Sequence, residues 1–363
     1  MSIRELFWRF AQLSLVGWGG PVGRIALMHE EFVTKEKWLT EKEFAKVLAV
    51  YQALPGPEAT ELAVYFGYRQ RGVWGGIASG LGFMLPGFFL MLPLSWLYVQ
   101  YGVNLPLVQH FLYGLQPAVV TLIALALWKL YKENVMTKTH LFLFISAALL
   151  TKITTLNFLW IVLGAGVITA LMQRAYAGVL FVPLLGSFSL PFYPLLFLVF
   201  LKAGLLTFGG AYTVIPFLHK DAVLTYHWLT EKQFLEGIAL SSVIPAPLVI
   251  FGTFVGYMAG GLWGAILATI GIFLPAFAFT LVGYKAIQRV VDNPALHTFL
   301  EGLVAAVLGL VLVSLLDLAR IAVVDVFSAV LAVVAFCALY KKIPVQYVIL
   351  GAGLIGFVWA GLF

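Results

Sequence analysis

Residues 38–42 read Trp-Leu-Thr-Glu-Lys, and residues 228–232 repeat the same five amino acids. The match continues in register on both sides of this pentapeptide. Equivalent positions hold Gly19-Gly20 and Gly209-Gly210, His29 and His219, and Pro55-Gly56-Pro57 and Pro245-Ala246-Pro247. After a deletion of one residue, Gly72-Val73-Trp74-Gly75 matches Gly261-Leu262-Trp263-Gly264. The chain therefore contains two copies of one unit.

The composition predicts an all-α integral membrane protein. Of its 363 residues, 62% are hydrophobic and only 10% are charged, whereas soluble domains carry roughly 25% charged residues. A chain this apolar cannot hide its side chains in a water-soluble globule. The net charge of +6 is spread over loops, and without a basic tract we expect no nucleic-acid partner. The single cysteine, Cys337, excludes an internal disulfide bond.

The repeat predicts two units, 1–174 and 192–363, joined by a linker at 175–191 that could itself cross the membrane. In each unit a first apolar segment is interrupted by the Gly-Gly pair. Helices over 41–53 and 58–70 would then meet at Pro55-Gly56-Pro57, with Pro57 as the first residue of the second helix. Each is about 20 Å long and too short to cross the membrane. We therefore predict a re-entrant hairpin with its tip near mid-membrane.

Basic residues predict that the two copies have opposite orientations. The loop 24–46 is rich in lysine and arginine, whereas its counterpart keeps only Lys220 and Lys232. Conversely, Lys285 and Arg289 fall opposite Trp96 and Gln100. Because positive loops stay cytoplasmic, we expect an inverted repeat of about ten membrane crossings, with loops 24–46 and 129–138 in the cytoplasm. A duplicated unit with broken helices is typical of secondary transporters.

The four helix breaks are the first candidates for a binding site. Helix N-termini offer free amide groups and a partial positive charge to an anion. Glycine and proline at such breaks could also be kinks that packing requires. Their recurrence in register favours a substrate site at mid-depth. The residues of this predicted site are Gly19, Gly20, Pro21, Pro55, Gly56, Pro57, Gly209, Gly210, Pro245 and Pro247.

Four ionisable residues in or beside the apolar segments complete the candidate site. Lys202 is either a fixed positive charge that faces an anion or a lysine that reaches the membrane interface. Arg24 suits an anion site or a cytoplasmic helix end. Glu58 and Glu61 follow the Pro-Gly-Pro tip and are candidates for proton coupling, although acids in a first helical turn also stabilise the helix dipole.

The same motifs resemble the chromate ion transporter family. Its first domain is matched by Gly19-Gly20-Pro21, Leu54-Pro55-Gly56-Pro57 and Gly82-Phe83-x-Leu85-Pro86, and its second by Lys202-x-Gly204 through Thr207-Phe208-Gly209-Gly210 to Pro245-x-Pro247. The resemblance covers nearly the whole chain and implies a two-domain, antiparallel-duplicated exporter of chromate. Where the family often has Ala-His, this chain has Gly23-Arg24.

We therefore expect a secondary active transporter that exports chromate across a bacterial-type cytoplasmic membrane by alternating access. A transporter of sulfate or another oxyanion and a passive anion channel remain alternatives. No catalytic constellation, cofactor motif or metal-ligand spacing is found, so an enzyme, a cofactor and a metal site are not expected. The sequence leaves open whether the chain acts as a monomer or a homodimer in the lipid bilayer.

Overall fold

The computed structural model describes residues 1–17, 20–102, 105–154, 156–172, 190–208, 210–282 and 294–362. Gly19, Gly209, Lys285, Arg289 and most of the predicted linker lie outside these ranges. The described chain consists of helices, turns and connecting segments. The helices of the first half are α1 Ile3–Val16, α2 Gly20–His29, α3 Glu41–Ala53, α4 Glu58–Leu97, α5 Pro106–Asn134, α6 Lys138–Ile153 and α7 Phe158–Met172. Those of the second half are α8 Phe192–Leu205, α9 Val214–Leu218, α10 Glu231–Val243, α11 Phe251–Leu281, α12 Pro294–Ala322, α13 Val326–Tyr340 and α14 Val345–Leu362.

Capping residues start α3 and α10 at the predicted places. The Thr40 hydroxyl accepts a hydrogen bond from the Glu43 amide, and the Glu43 side chain accepts one from the Thr40 amide. Thr230 and Gln233 form the same reciprocal pair at α10. Such boxes satisfy amides that a helix start would otherwise leave unpaired. The repeated pentapeptide therefore ends at two equivalent helix starts.

The chain reverses inside α4 and inside α11. Arg71 and Gly72 leave helical geometry, and Gly72 has φ 60° and ψ −150°. Gly261 has nearly the same angles, φ 61° and ψ −148°. A straight helix of 40 residues would be about 60 Å long, twice the hydrocarbon thickness. The reversal folds 58–70 back onto the helix that follows it.

Close glycine contacts hold the two arms of each reversal together. A Cβ atom built on Gly67 would lie 2.3 Å from the carbonyl oxygen of Gly75, and one on Gly256 would lie 2.4 Å from that of Gly264. Only glycine permits the backbones to approach this closely. Both halves therefore place a short helical arm against a long helix.

The hairpin of the first half has α3 and 58–70 as its arms. At its open end Glu43 Oε1 lies 3.7 Å from Arg69 Nη2, and the rings of Phe44 and Phe66 are 6.3 Å apart. One prediction is wrong by one residue. Pro57 has φ −76° and ψ 92° and is the N-cap, so the helix begins at Glu58. Its extended ψ turns the chain, while its carbonyl accepts the amides of Thr60 and Glu61.

The two halves pack on each other reciprocally. α5 packs on α13 and α14, whereas α12, which stands at the equivalent place in the second half, packs on α6 and α7. Glycines lie at the contact of α5 with α14 and at that of α12 with α7. A Cβ on Gly114 would lie 2.3 Å from the Ala352 carbonyl oxygen, and one on Gly302 would lie 2.9 Å from that of Ala165. The long helices of each half therefore sit among the helices of the other.

The described helices make this an integral membrane protein. Four stretches are long and apolar enough to cross a bilayer, and they are Glu58–Gly102, Val108–Asn134, Leu248–Leu281 and His297–Ala322. The first and third contain the reversals, so each comprises a short arm and a long helix. Trp74 and Trp263, next to the reversals, are 70% and 65% exposed. Exposed tryptophans at helix ends are typical of membrane interfaces.

Candidate functional site

Two helix starts meet at one small cavity. Pro57 precedes α4, and Pro247 precedes the 3₁₀ turn Leu248–Ile250 that leads into α11. The Thr60 amide donates to the Pro57 carbonyl at 2.7 Å, and the Ile250 amide donates to that of Pro247 at 2.8 Å. The amides that lie between donor and acceptor in each turn, those of Glu58 and Ala59 and those of Leu248 and Val249, have no intrahelical partner, as in any first helical turn. The cavity, called here the inner cavity, is lined by Arg24, Pro57, Glu58, Ala59, Thr60, Ala211, Pro247, Leu248 and Val249.

Arg24 supplies a buried positive charge to the inner cavity. It is 3% exposed, and its Nε and Nη1 atoms have no hydrogen-bond partner within the described residues. Its guanidinium carbon lies 5.5 Å from the centroid of the Phe83 ring, close enough for a cation–π contact. A buried, unpaired charge costs several kcal/mol. This position therefore suits an anionic partner.

The wall of the inner cavity is mostly apolar, and Thr60 adds a hydroxyl group to it. The Thr60 hydroxyl is buried and has no partner among the described residues. Together with the free amides at the start of α4, it could donate to the oxygens of an anion. The inner cavity measures about 10 Å³, room for roughly one water molecule. A tetrahedral oxyanion requires these walls to move apart.

A larger cavity, the vestibule, leads from the protein surface to Glu58. It measures about 490 Å³ and is lined by Ile25, Leu48, Gln52, Glu58, Ala126, Lys129, Leu130, Glu133, Asn134, Gly210 and Tyr212. Glu58 lines both cavities and is 7% exposed. Lys129 and Glu133 form an ion pair one turn apart near the end of α5, with 3.8 Å between Nζ and Oε1. A carboxylate therefore separates the vestibule from the inner cavity.

Glu61 is buried behind the Pro-Gly-Pro tip. It is fully buried, and within the described chain neither of its oxygens has a hydrogen-bond partner. A Cβ atom built on Gly56 would lie 2.6 Å from Glu61 Oε1. A charge on this carboxyl group would be uncompensated. Its surroundings suit a group that exchanges a proton.

The other predicted residues lie around this site at different distances from the inner cavity. Gly56, next to Pro57, donates its amide hydrogen to the Thr207 carbonyl at 2.8 Å. Gly210 lines the vestibule. Pro55 and Pro245 are half-buried on the two tips. Gly20 and Pro21 are the first residues of α2, three to four positions before Arg24.

Lys202 is not among the residues that line the inner cavity. Its ammonium group forms an ion pair with Asp221. Both line a separate small cavity with Asn157, Phe158, Leu159, Leu206, Phe217 and Lys220. The structure thus brings together Arg24, Pro57, Glu58 and Pro247 but gives Lys202 a protein partner. The lining residue Ala211 was not predicted, although it directly follows the Gly209-Gly210 break.

Comparison with known proteins identifies the family. No solved structure matches the chain. The profile of the Chromate transporter family matches residues 4–170 and 195–357. The chain belongs to the chromate transporter family. A chromate transport protein of Pseudomonas aeruginosa is 44% identical over 98% of this chain and 92% of its own length.

Two further relatives of this chromate transporter family member cover both sequences almost completely. A chromate transport protein of Cupriavidus metallidurans is 34% identical over 98% of this chain and 93% of its own length. A probable chromate transport protein of Synechococcus elongatus is 29% identical over 99% of this chain and 96% of its own length. Family membership supports a role in chromate transport, and the inner cavity is where an anion would find donors.

Proposed function

We propose that this protein is a secondary active transporter that exports chromate across the cytoplasmic membrane. One observation carries the proposal. The buried arginine Arg24, whose Nε and Nη1 have no hydrogen-bond partner among the described residues, lines the same cavity as the starts of two helices that follow Pro57 and Pro247. Helix starts and a guanidinium group together replace the hydration shell of an oxyanion. The names of the relatives make chromate the leading substrate.

The transport cycle that we propose is alternating access between two inverted repeats, 1–174 and 192–363, joined by 175–191. The two regions matched by the family profile support this division. The near-identical reversals at Gly72 and Gly261 and the reciprocal helix packing support the two-fold relation. We keep about ten crossings as the expected number. The inner cavity has no room for an oxyanion, so the hairpins must separate when substrate binds.

Proton coupling is assigned to Glu58, with Glu61 behind it. Glu58 stands between the vestibule and the inner cavity, where a proton and an oxyanion would pass the same point. Protonation would remove a negative charge that repels the incoming dianion. Proton binding at Glu58 and dianion binding would then be linked, so a pH gradient would change the rate of chromate transport. The proposed function holds for a monomer or a homodimer in the lipid bilayer. It includes no nucleic-acid partner and no enzymatic activity.

Uptake into proteoliposomes tests the proposal. Arg24→Gln should lower the apparent chromate affinity by about 10–100-fold, the effect of losing one or more charged hydrogen bonds. Arg69→Gln is the matched control, because Arg69 pairs with Glu43 at the exposed end of the hairpin. Wild-type uptake by the Arg24 variant would contradict the proposed site.

Two comparisons in the same assay separate the alternatives. Competition by sulfate, molybdate and phosphate identifies the preferred oxyanion, and stronger competition by sulfate than by unlabelled chromate would favour a sulfate transporter. A pH gradient should change the rate of chromate uptake in the wild-type protein. A chromate flux that does not change with the pH gradient, without exchange of internal for external chromate, would favour a passive channel.

A further inference from the structure

A buried polar cluster joins α10 to the region of α4 and α5. The Tyr98 hydroxyl donates to Glu236 Oε2 at 2.5 Å, and the Gln116 side-chain amide donates to Glu236 Oε1 at 3.1 Å. Lys232, one turn earlier on α10, has its Nζ atom 4.0 Å from Glu236 Oε1. Glu236 is only 3% exposed. Hydrogen bonds to a buried carboxylate are stronger than ordinary ones, so this cluster holds three segments together.

The two equivalent hairpin arms α3 and α10 are packed very differently. α10 packs on α5, α12 and α14, whereas the main helix contact of α3 is with α4. Leu235 and Glu236 of α10 are 0% and 3% exposed. Ala45 and Lys46, at the same repeat positions of α3, are exposed. The second hairpin is thus closed against its neighbours where the first is open.

The open and closed regions lie at different levels of α5. The vestibule beside α3 is lined by Lys129 and Glu133 near the end of α5. Gln116, which binds Glu236, is 13 positions earlier, roughly 20 Å along the helix axis. A cavity is therefore present at the Lys129 level of α5, whereas the side chains are buried where Glu236, Tyr98 and Gln116 meet.

We propose that Glu236, Tyr98 and Gln116 form the gate that closes the transport pathway on the side opposite the vestibule. The Glu236 carboxylate accepts both hydrogen bonds, so Tyr98 and Gln116 hold α10 against the helix bundle. Release of these bonds lets α10 move away as α3 packs inward. This gate rests on the alternating-access proposal, but it can be tested without chromate.

Cysteine accessibility tests the gate in a Cys337→Ser background. Ser242 occupies in α10 the repeat position that Gln52, a vestibule residue, occupies in α3. A membrane-impermeant maleimide should label Gln52→Cys readily and Ser242→Cys slowly, each from its own side of right-side-out or inverted vesicles. Adding Tyr98→Phe or Glu236→Gln should speed labelling of Ser242→Cys by roughly tenfold or more, since each removes or weakens a hydrogen bond to a charged group.

Lys46→Gln provides the matched control, because Lys46 is the exposed counterpart of Glu236 and should leave labelling of Ser242→Cys unchanged. Tyr98→Phe keeps the aromatic ring, so it tests the gate on its own if Glu236→Gln fails to fold. Unchanged labelling in the correctly folded gate variants would overturn the gate, as would an equal increase with Lys46→Gln. Faster labelling together with wild-type chromate uptake by Arg24→Gln would uphold the gate while refuting the Arg24 site.

Discussion

The amide nitrogen of Gly56 lies 2.8 Å from the carbonyl oxygen of Thr207, to which it donates a hydrogen bond. Gly56 is at the tip of the first hairpin, and Thr207 lies two residues after the last residue of α8, in the second half. The bond fixes the tip of one hairpin to the broken helix of the other half. It also occupies the Gly56 amide, so the free amides available to an anion belong to the first residues of α4.

Gly56→Ala should destabilise the protein. Gly56 has φ 151°, and a Cβ atom would lie 2.6 Å from Glu61 Oε1. Backbone strain of this kind costs about 1–3 kcal/mol. Thermal unfolding in detergent should show a lower midpoint temperature. Gly164→Ala in α7 is the control, since no heavy atom lies within 4 Å of its added Cβ, and it should be neutral or slightly stabilising. Equal midpoints for the two variants would contradict the assigned strain.

Glu58→Gln should uncouple chromate movement from the proton gradient. The variant keeps the size of the side chain at the boundary of the two cavities and removes its ability to bind and release a proton. Uptake stimulated by a pH gradient should fall to the rate without a gradient, whereas exchange of internal for external chromate should persist. Glu133→Gln, also in the vestibule, should retain stimulation. A gradient response in the Glu58 variant would exclude Glu58 as the coupling residue.

Lys202→Ala should impair the protein through Asp221. Asp221 is 7% exposed and is paired with Lys202, so the substitution leaves a buried carboxylate without its partner. We expect a loss of roughly 1–3 kcal/mol in the free energy of unfolding. The double variant Lys202→Ala/Asp221→Asn should recover stability and chromate uptake. If stability returned but uptake did not, Lys202 would have a direct role in binding the substrate.

Lys42 and Lys232 should lie on opposite sides of the membrane. They occupy the same position of the repeated pentapeptide, and an inverted repeat places equivalent loops on opposite faces. Single cysteines at these positions, in a Cys337→Ser background, can be labelled in right-side-out and inverted vesicles. The cytoplasmic side should be that of Lys42. Labelling of both positions from one side would refute the inverted repeat.

The helix starts and breaks could be predicted because local chemistry decides them. Thr40 with Glu43 forms a capping box, and Pro57 stands at the helix start that follows the Pro-Gly-Pro motif. The partners of charged groups could not be predicted in this way. Glu236 contacts Tyr98 across 138 positions of sequence, and Asp221 forms an ion pair with Lys202 from a different segment of the chain. Such contacts depend on how the helices pack, which neither periodicity nor spacing reveals.

Only some residues of the predicted anion site line one cavity, for the same reason. Pro57 and Pro247 are predicted because helix breaks recur in register, Arg24 is predicted as a charge shortly after such a break, and all three line one cavity. The sequence could not show which breaks converge or how much space they leave. It also gave no reason to prefer Arg24 over Lys202, because both are single cations near Gly-Gly breaks. Their contacts distinguish them, since Nε and Nη1 of Arg24 have no hydrogen-bond partner in the part of the chain that the structure describes, whereas Lys202 pairs with Asp221.

The most direct test of the oxyanion site is the anomalous scattering of chromium from crystals of the protein grown with chromate. The chromium peak should lie beside the Arg24 guanidinium group, between the start of α4 and the turn Leu248–Ile250, with the inner cavity widened around it. A peak in the cavity of Lys202 and Lys220, with the space at Arg24 empty, would contradict the account.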